Sequence, residues 1–269
     1  MSTPANSAPP DERVDVFDRV LVEIDETPES LVAAAQARCL GGHDCYFELL
    51  AVVERATASQ AGAAASFVAD ALENATTAAL EHATSLLEPS ATRVVVGRSR
   101  ESLLSEARST GATLVAVGMH PHRRLTARVF GTLDLAVLHD APCSVLIARP
   151  GWGTSKPKQI VLGIDGSEAS ALAARAAESL ATRLGTELRR VIALGGKPLD
   201  ESVFRREHAD ALVDSRDPVT ALGAAAGDCD LLVVGDRGAH RRLVAGGSVG
   251  ERLVYAARGS VLVVRSSQG

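Results

Sequence analysis

A glycine-punctuated stretch near the C-terminus is the part of this chain best suited to holding a phosphate. It reads Gly235-Asp-Arg-Gly238, then eight residues, then Gly247-Ser248. Glycines let the backbone approach an anion closely, and successive amides in such a loop form a concave nest. Ser248-x-x-Glu251 fits a capping box, so a helix starting there would turn its N-terminal amides toward negative charge. A flexible strand-to-helix turn uses glycine in the same way, and the spacing alone leaves that plainer reading open. The chain contains no G-x-x-x-x-G-K-[ST], which excludes a P-loop NTPase, and the glycine spacing differs from G-x-G-x-x-G.

A carboxylate stands ready upstream. Val161-Leu-Gly-Ile-Asp165-Gly166-Ser167 reads as a strand ending in an aspartate, with Ser167 as the N-cap of the next helix. At a strand's carboxyl edge Asp165 could accept from a sugar hydroxyl or a base amine; as a turn residue it would bond nearby backbone amides instead. The same grammar occurs earlier as Glu23-Ile24-Asp25-Glu26-Thr27-Pro28, with Thr27 at the N-cap and Pro28 at the first helical position. Two glutamates flank Asp25 where the later copy has Gly163 and Gly166, so the first site repels a triphosphate more. Gly118-Met-His-Pro121, nine residues and Gly131-Thr132 form the earlier loop, in which Pro121 removes a backbone donor. His-Arg-Arg-Leu follows in both loops, at 122–125 and 240–243; these arginines either clamp phosphate oxygens or form a solvated basic face. The histidines there lack partners at metal-ligand spacing. Cys39, Cys45, Cys143 and Cys229 form no C-x-x-C pair and read as reduced thiols.

These matches are points of one internal repeat. Ile24-Asp25 recurs as Ile164-Asp165 at an offset of 140, Gly118 as Gly235 at 117, and Ser144-Val-Leu146 as Ser260-Val-Leu262 at 116. The second copy is therefore shorter between its second and third strands. Apolar runs predict strands near 20–24, 47–53, 92–96, 113–117 and 144–148, then near 160–164, 188–194, 209–213, 231–234 and 260–264. Helical stretches fall at 28–40, 56–87, 99–109 and 132–140, then at 168–184, 217–226 and 248–257. Strand–helix alternation with short connections implies two α/β doubly wound parallel sheets. In such sheets ligands bind at the carboxyl ends of the strands where the winding reverses, which selects the loops after strands one and four.

Composition sets the outer limits. With 46 % hydrophobic residues and 3 % aromatics, the core must be alanine and branched aliphatics, as suits helices on a buried parallel sheet. No apolar run spans a membrane and residues 1–12 lack a secretory pattern, so a soluble cytoplasmic protein is expected. A net charge of −5 argues against nucleic acid as a partner. Residues 1–150 carry 12 Lys+Arg against 19 Asp+Glu, whereas 151–269 carry 16 against 14, so an anion meets less repulsion in the second copy. The expected division is a disordered tail (1–12), a first domain (13–149), a Gly/Pro linker with Trp152 (150–158) and a second domain (159–269).

Taken in order, these motifs resemble the universal stress protein family, twice over nearly the whole chain. The likeness rests on Val161–Ser167, Leu232–Gly238, Gly247-Ser248 and Arg258–Val264. It implies the adenine nucleotide alpha hydrolase-like fold, a five-stranded sheet of order 3-2-1-4-5, with modules pairing through their last strands. It also implies ATP or AMP, with or without Mg2+, held in the second module by Asp165, Ala193, Gly235, Gly238, Gly247 and Ser248. The matching positions of the first module are Asp25, Val52, Gly118, Gly131 and Thr132. Two departures stand out: the second module has eight residues where the family has nine before Gly-Ser, and the first has Pro121 for the second loop glycine.

The resulting expectation is a nucleotide-binding stress regulator that is not an enzyme, with an unidentified protein partner and pairing of modules within the chain or in a homodimer. The alternative is an interaction or dimerisation module whose sites have decayed. A hydrolase ranks last, because no general base or nucleophile–base pair stands out near the loops.

Overall fold

The computed structural model describes residues 17–54, 64–119, 132–152, 155–195, 209–227, 230–236 and 248–266. In chain order the first half runs β1 (Arg19–Ile24), α1 (Pro28–Gly41), β2 (Tyr46–Val53), α2 (Ala65–Leu87), β3 (Ala91–Val96), α3 (Ser99–Ser109), β4 (Leu114–Gly118), α4 (Thr132–Asp140) and β5 (Ser144–Ala148). The second half runs β6 (Gln159–Ile164), α5 (Glu168–Leu184), β7 (Glu187–Ala193), β8 (Leu212–Asp214), α6 (Pro218–Ala225), β9 (Leu231–Gly235), α7 (Val249–Ala256) and β10 (Ser260–Val264).

Among the described residues, all ten strands lie in one sheet of order β3-β2-β1-β4-β5-β10-β9-β6-β7-β8. Each half is parallel in the order 3-2-1-4-5, and the two join where β5 runs antiparallel to β10. Leu146 faces Leu262 in that seam, with Ile147 opposite Val261 and Val145 opposite Val263. Residues 146 and 262 are also partners in the repeat, so a local pseudo-twofold axis passes between them.

Strand residues alternate between two buried faces, as a pleated strand requires. Val20, Val22 and Ile24 point toward α1, α2 and α5; Leu21 points toward the opposite layer of α3, α4, α6 and α7. The first layer is built from alanine: Ala33, Ala34 and Ala37 of α1, then Ala173, Ala176 and Ala177 of α5, are 3 % exposed or less. Small side chains let these helices settle close to a β-branched sheet, which is how a chain poor in aromatics fills its core. Each buried Val, Leu or Ile contributes about 1.5–3 kcal/mol.

The strands and helices fall within a few residues of their expected places. β8 is the largest displacement. It occupies Leu212–Asp214 rather than 209–213, because Ala209 and Asp210 turn and Asp210 pairs with Arg190. Arg190 sits within β7 on the α5 face, where Glu178 accepts from it at 2.8 Å and Asp210 at 2.7 Å. Two carboxylates thus let an arginine occupy a strand position that its apolar counterparts would fill. The expected helix at 56–87 is seen from Ala65 onward; residues 55–63 lie outside the described ones. Trp152 is buried in the α1/α5 layer and its indole N–H donates to Asp230 O at 3.1 Å, tying the inter-half connection to the base of β9.

Candidate functional site

The turn after the first strand has the same construction in both halves. Asp165 Oδ1 accepts from the amide of Ser167 at 3.0 Å and from its hydroxyl at 2.6 Å. Asp25 Oδ1 accepts from the amide of Thr27 at 2.9 Å and its hydroxyl at 2.5 Å. One carboxylate oxygen therefore serves the turn in each case, as expected of an Asx residue. A buried serine that sequence reasoning passed over closes each turn. Ser170 Oγ accepts from the Asp165 amide at 3.2 Å, and Ser30 Oγ accepts from the Asp25 amide at 3.3 Å. The 140-residue offset between Ser30 and Ser170 was the available signal.

The halves differ beside the aspartate. Gly166 has φ +75, a left-handed conformation that a side chain resists, so the second turn stays bare. In its place Glu26 accepts from Thr76 Oγ1 of α2 at 3.0 Å. Ser167 caps α5 by accepting from the Ser170 amide, whereas Thr27 makes no side-chain cap to α1. Glu23 is 7 % exposed and alternates onto the α3/α4 face, while Gly163 at the matching place leaves room for Leu222 and Val234.

The end of the fourth strand lies directly on this turn. A Cβ at Gly235 would sit 2.2 Å from Ala169 O and 2.7 Å from Ser170 N. A Cβ at Gly118 would sit 2.4 Å from Glu29 O. Both glycines are therefore demanded by backbone meeting backbone, where the first turn of α1 or α5 crosses the strand end. That close approach brings the start of the glycine-rich loop to the aspartate turn, at the carboxyl ends of neighbouring strands.

Further along the same edge, Ala193 ends β7 and Val52 is the next-to-last residue of β2, both partly exposed. Ala193 lies opposite Asp214 of β8, whose carboxylate is gripped by Arg216 through Nε at 3.0 Å and Nη2 at 2.5 Å. That guanidinium holds Asp214 down at about 2, so this lip is a closed ion pair at neutral pH. Val52 lies opposite the apolar Val95.

Ser248 opens α7 with a complete capping box. Its hydroxyl accepts from the Glu251 amide at 3.1 Å, and its amide donates to Glu251 Oε2 at 2.7 Å. An incoming phosphate would compete with that carboxylate for the Ser248 amide. Thr132 is the first residue of α4. Gly238, Gly247 and Gly131, both His-Arg-Arg-Leu runs and Cys229 lie outside the described residues. Among the described residues no group of three or more His, Cys, Asp or Glu is placed to hold a metal ion. No helix among them is long and apolar enough to cross a membrane.

A model of the universal stress protein family matches residues 17–149. A universal stress protein from Archaeoglobus fulgidus superposes with a TM-score of 0.70 at 16 % identity, covering 92 % of this chain and 98 % of that one. A putative universal stress protein from Pseudomonas aeruginosa gives 0.66 at 20 % identity, covering 92 % and 93 %. A functionally unknown protein from Pseudomonas aeruginosa PAO1 gives 0.65 at 20 % identity and 93 % of each chain. No protein of curated function matches. The two long universal stress protein structures share the fold over nearly the full length, and the family match falls on the half that holds β1 to β5. Through that match residues 17–149 of the chain belong to the universal stress protein family.

Proposed function

We propose that this chain is a regulatory protein that binds an adenine nucleotide, ATP or AMP, mainly in its second half. The observation that supports the reading is the contact of Gly235 with the first turn of α5, which sets the start of the glycine-rich loop against the Asp165 turn. In that arrangement Asp165 and the Ala193 backbone face base and ribose, while Gly235, Gly238, Gly247 and Ser248 take the phosphates, with Mg2+ where a triphosphate is bound. Asp25, Val52, Gly118, Gly131 and Thr132 form the weaker counterpart. Glu23 and Glu26 beside Asp25, and the net charge of residues 1–150, oppose an anion there. The domain division at 150–158 belongs to the same proposal, as do a cytoplasmic location and a role without catalysis, acting through an unidentified protein partner. Binding would shift conformers only as far as the nucleotide's affinities for them differ.

The test is direct. Purified protein is denatured and the supernatant analysed by mass spectrometry for ATP, ADP and AMP, and emptied protein is titrated with ATP and Mg2+ by calorimetry. Released nucleotide or a binding isotherm is expected, with no turnover above slow background. Gly238→Val or Ser248→Ala should weaken binding more than Gly131→Val. Absence of both nucleotide and heat would favour the second reading, an interaction module with decayed sites. The observation on its side is Glu251, whose carboxylate already occupies the Ser248 amide.

A further inference from the structure

Resting on the nucleotide reading, we propose that Arg265 is a positioning residue that ties the glycine-rich loop of the second half to helix α4 of the first, so that filling the second site is felt across the seam.

Two arginines, 116 positions apart, cross the pseudo-twofold axis. Arg149 follows β5, and its Nη2 donates to Val254 O in α7 at 2.6 Å. Arg265 follows β10, and its guanidinium donates to Leu138 O and, at 2.9 Å, to Ala141 O at the end of α4. Leu138 and Val254 are themselves 116 positions apart, so each arginine takes the same place on the other half's helix. The backbone repeats the exchange: Arg149 N donates to Ser260 Oγ at 3.0 Å and Arg265 N to Ser144 Oγ at 3.1 Å. A cation suits that place, because the last carbonyls of a helix carry partial negative charge.

One position breaks the symmetry. Asp236, the first residue after β9, takes Arg265 Nε at 2.6 Å and Nη2 at 2.5 Å on its Oδ2. The matching residue in the first half is Met119, which offers no charge to Arg149. A single planar guanidinium therefore spans Asp236, inside the loop proposed to cradle phosphate, and the C-terminus of α4, the helix that opens at Thr132. Its donors form a rigid fork, so Asp236 cannot shift without moving the fork on α4 or giving up one set of bonds. Side-chain exposure of 14 % for Arg265 and 18 % for Asp236 keeps water from screening the pair. By linkage the coupling is reciprocal, so whatever shifts the end of α4 is felt equally at Asp236.

Hydrogen exchange of the full chain, read by mass spectrometry with and without saturating ATP, tests this. In the wild type ATP should slow exchange at 231–236 and 248–252, and also at 133–141, by about fivefold at the latter. Arg265→Gln removes the fork from outside the loop, so slowing in the second half should be retained and that at 133–141 lost, and Arg265→Lys, which keeps charge without the fork, should fall between. Slowing confined to the second half of the wild type, or an undiminished response of 133–141 in both variants, overturns the link and leaves nucleotide binding standing. No slowing anywhere in the wild type overturns both.

Discussion

Replacing Gly235 with alanine separates two reasons a glycine can stand after the fourth strand. If its purpose were only to let a phosphate approach, a methyl group there would weaken binding and leave folding alone. The structure assigns it a folding role as well. The added Cβ would lie 2.2 Å from Ala169 O, 2.4 Å from Ala169 C and 2.7 Å from Ser170 N, all backbone atoms of the first turn of α5. Optimal carbon contacts are about 3.5–4 Å, so strand end and helix must part by roughly 1 Å or more. Neither is free to do so. β9 is paired on both sides, by β6 and β10, and α5 buries Ala173, Ala176, Ala177 and Leu180 on the sheet. Overpacking typically costs about 1–3 kcal/mol, and rigid backbone on both sides puts this site at the top of that range, about 3 kcal/mol. For a chain of this size that corresponds to a melting temperature lower by roughly 6–10 °C. Urea denaturation followed by far-UV circular dichroism should show a lower midpoint with an unchanged slope. Gly118→Ala should behave alike, since its Cβ would meet Glu29 C and O at 2.4 Å. A loss below about 0.5 kcal/mol in both, which is the range of an ordinary surface change, would refute the argument.

The buried Glu48 makes stability respond to pH. Burial raises its pKa, the Glu106 carboxylate raises it further, and Arg93, 3.3 Å away, only partly offsets them. A raised folded pKa contributes stability below the unfolded value that is lost as pH rises through the folded one. Glu48→Gln should therefore melt above the wild type at pH 7, with the gap closing toward pH 4; a gap that widens in acid contradicts this. Gln36, fully buried in α1, donates to Arg149 O at 2.8 Å and accepts from Ser260 Oγ at 2.6 Å, pinning the β5/β10 seam. Gln36→Ala should cost about 2–3 kcal/mol in urea denaturation, from stranded polar groups and the void together, and a cost under 1 kcal/mol counts against the pin. Desolvation pushes the Cys143 thiol up to about 12, so peptide mapping should find it labelled at pH 8 only after unfolding.

Fold class and the placement of most elements were legible in the chain because each depends on local patterns, whereas the strand order came from the family resemblance. Period-two and helical spacing, Pro28 after Thr27, Ser248 before Glu251 and the offsets of 140, 117 and 116 survive without knowledge of what lies across the sheet. The aspartate turns were visible for the same reason, since Asp165 and Ser167 are separated by a single residue. What the tertiary structure decided is everything that joins distant residues. Gly118 and Gly235 looked like loop glycines; only the crossing of α1 and α5 over the strand ends makes them sites where backbone touches backbone. Arg190 breaks the apolar pattern of β7, and only the fold, which sets Glu178 and Asp210 against it, accounts for a charge there. The bonds of Arg149 to Val254, Arg265 to Leu138 and Gln36 to Arg149 and Ser260 carried no local signal, because these partners lie more than a hundred residues apart and are brought near by the antiparallel seam. Periodicity records which face of an element is buried; which carbonyl or carboxylate waits on the other side is a property of the packed sheet.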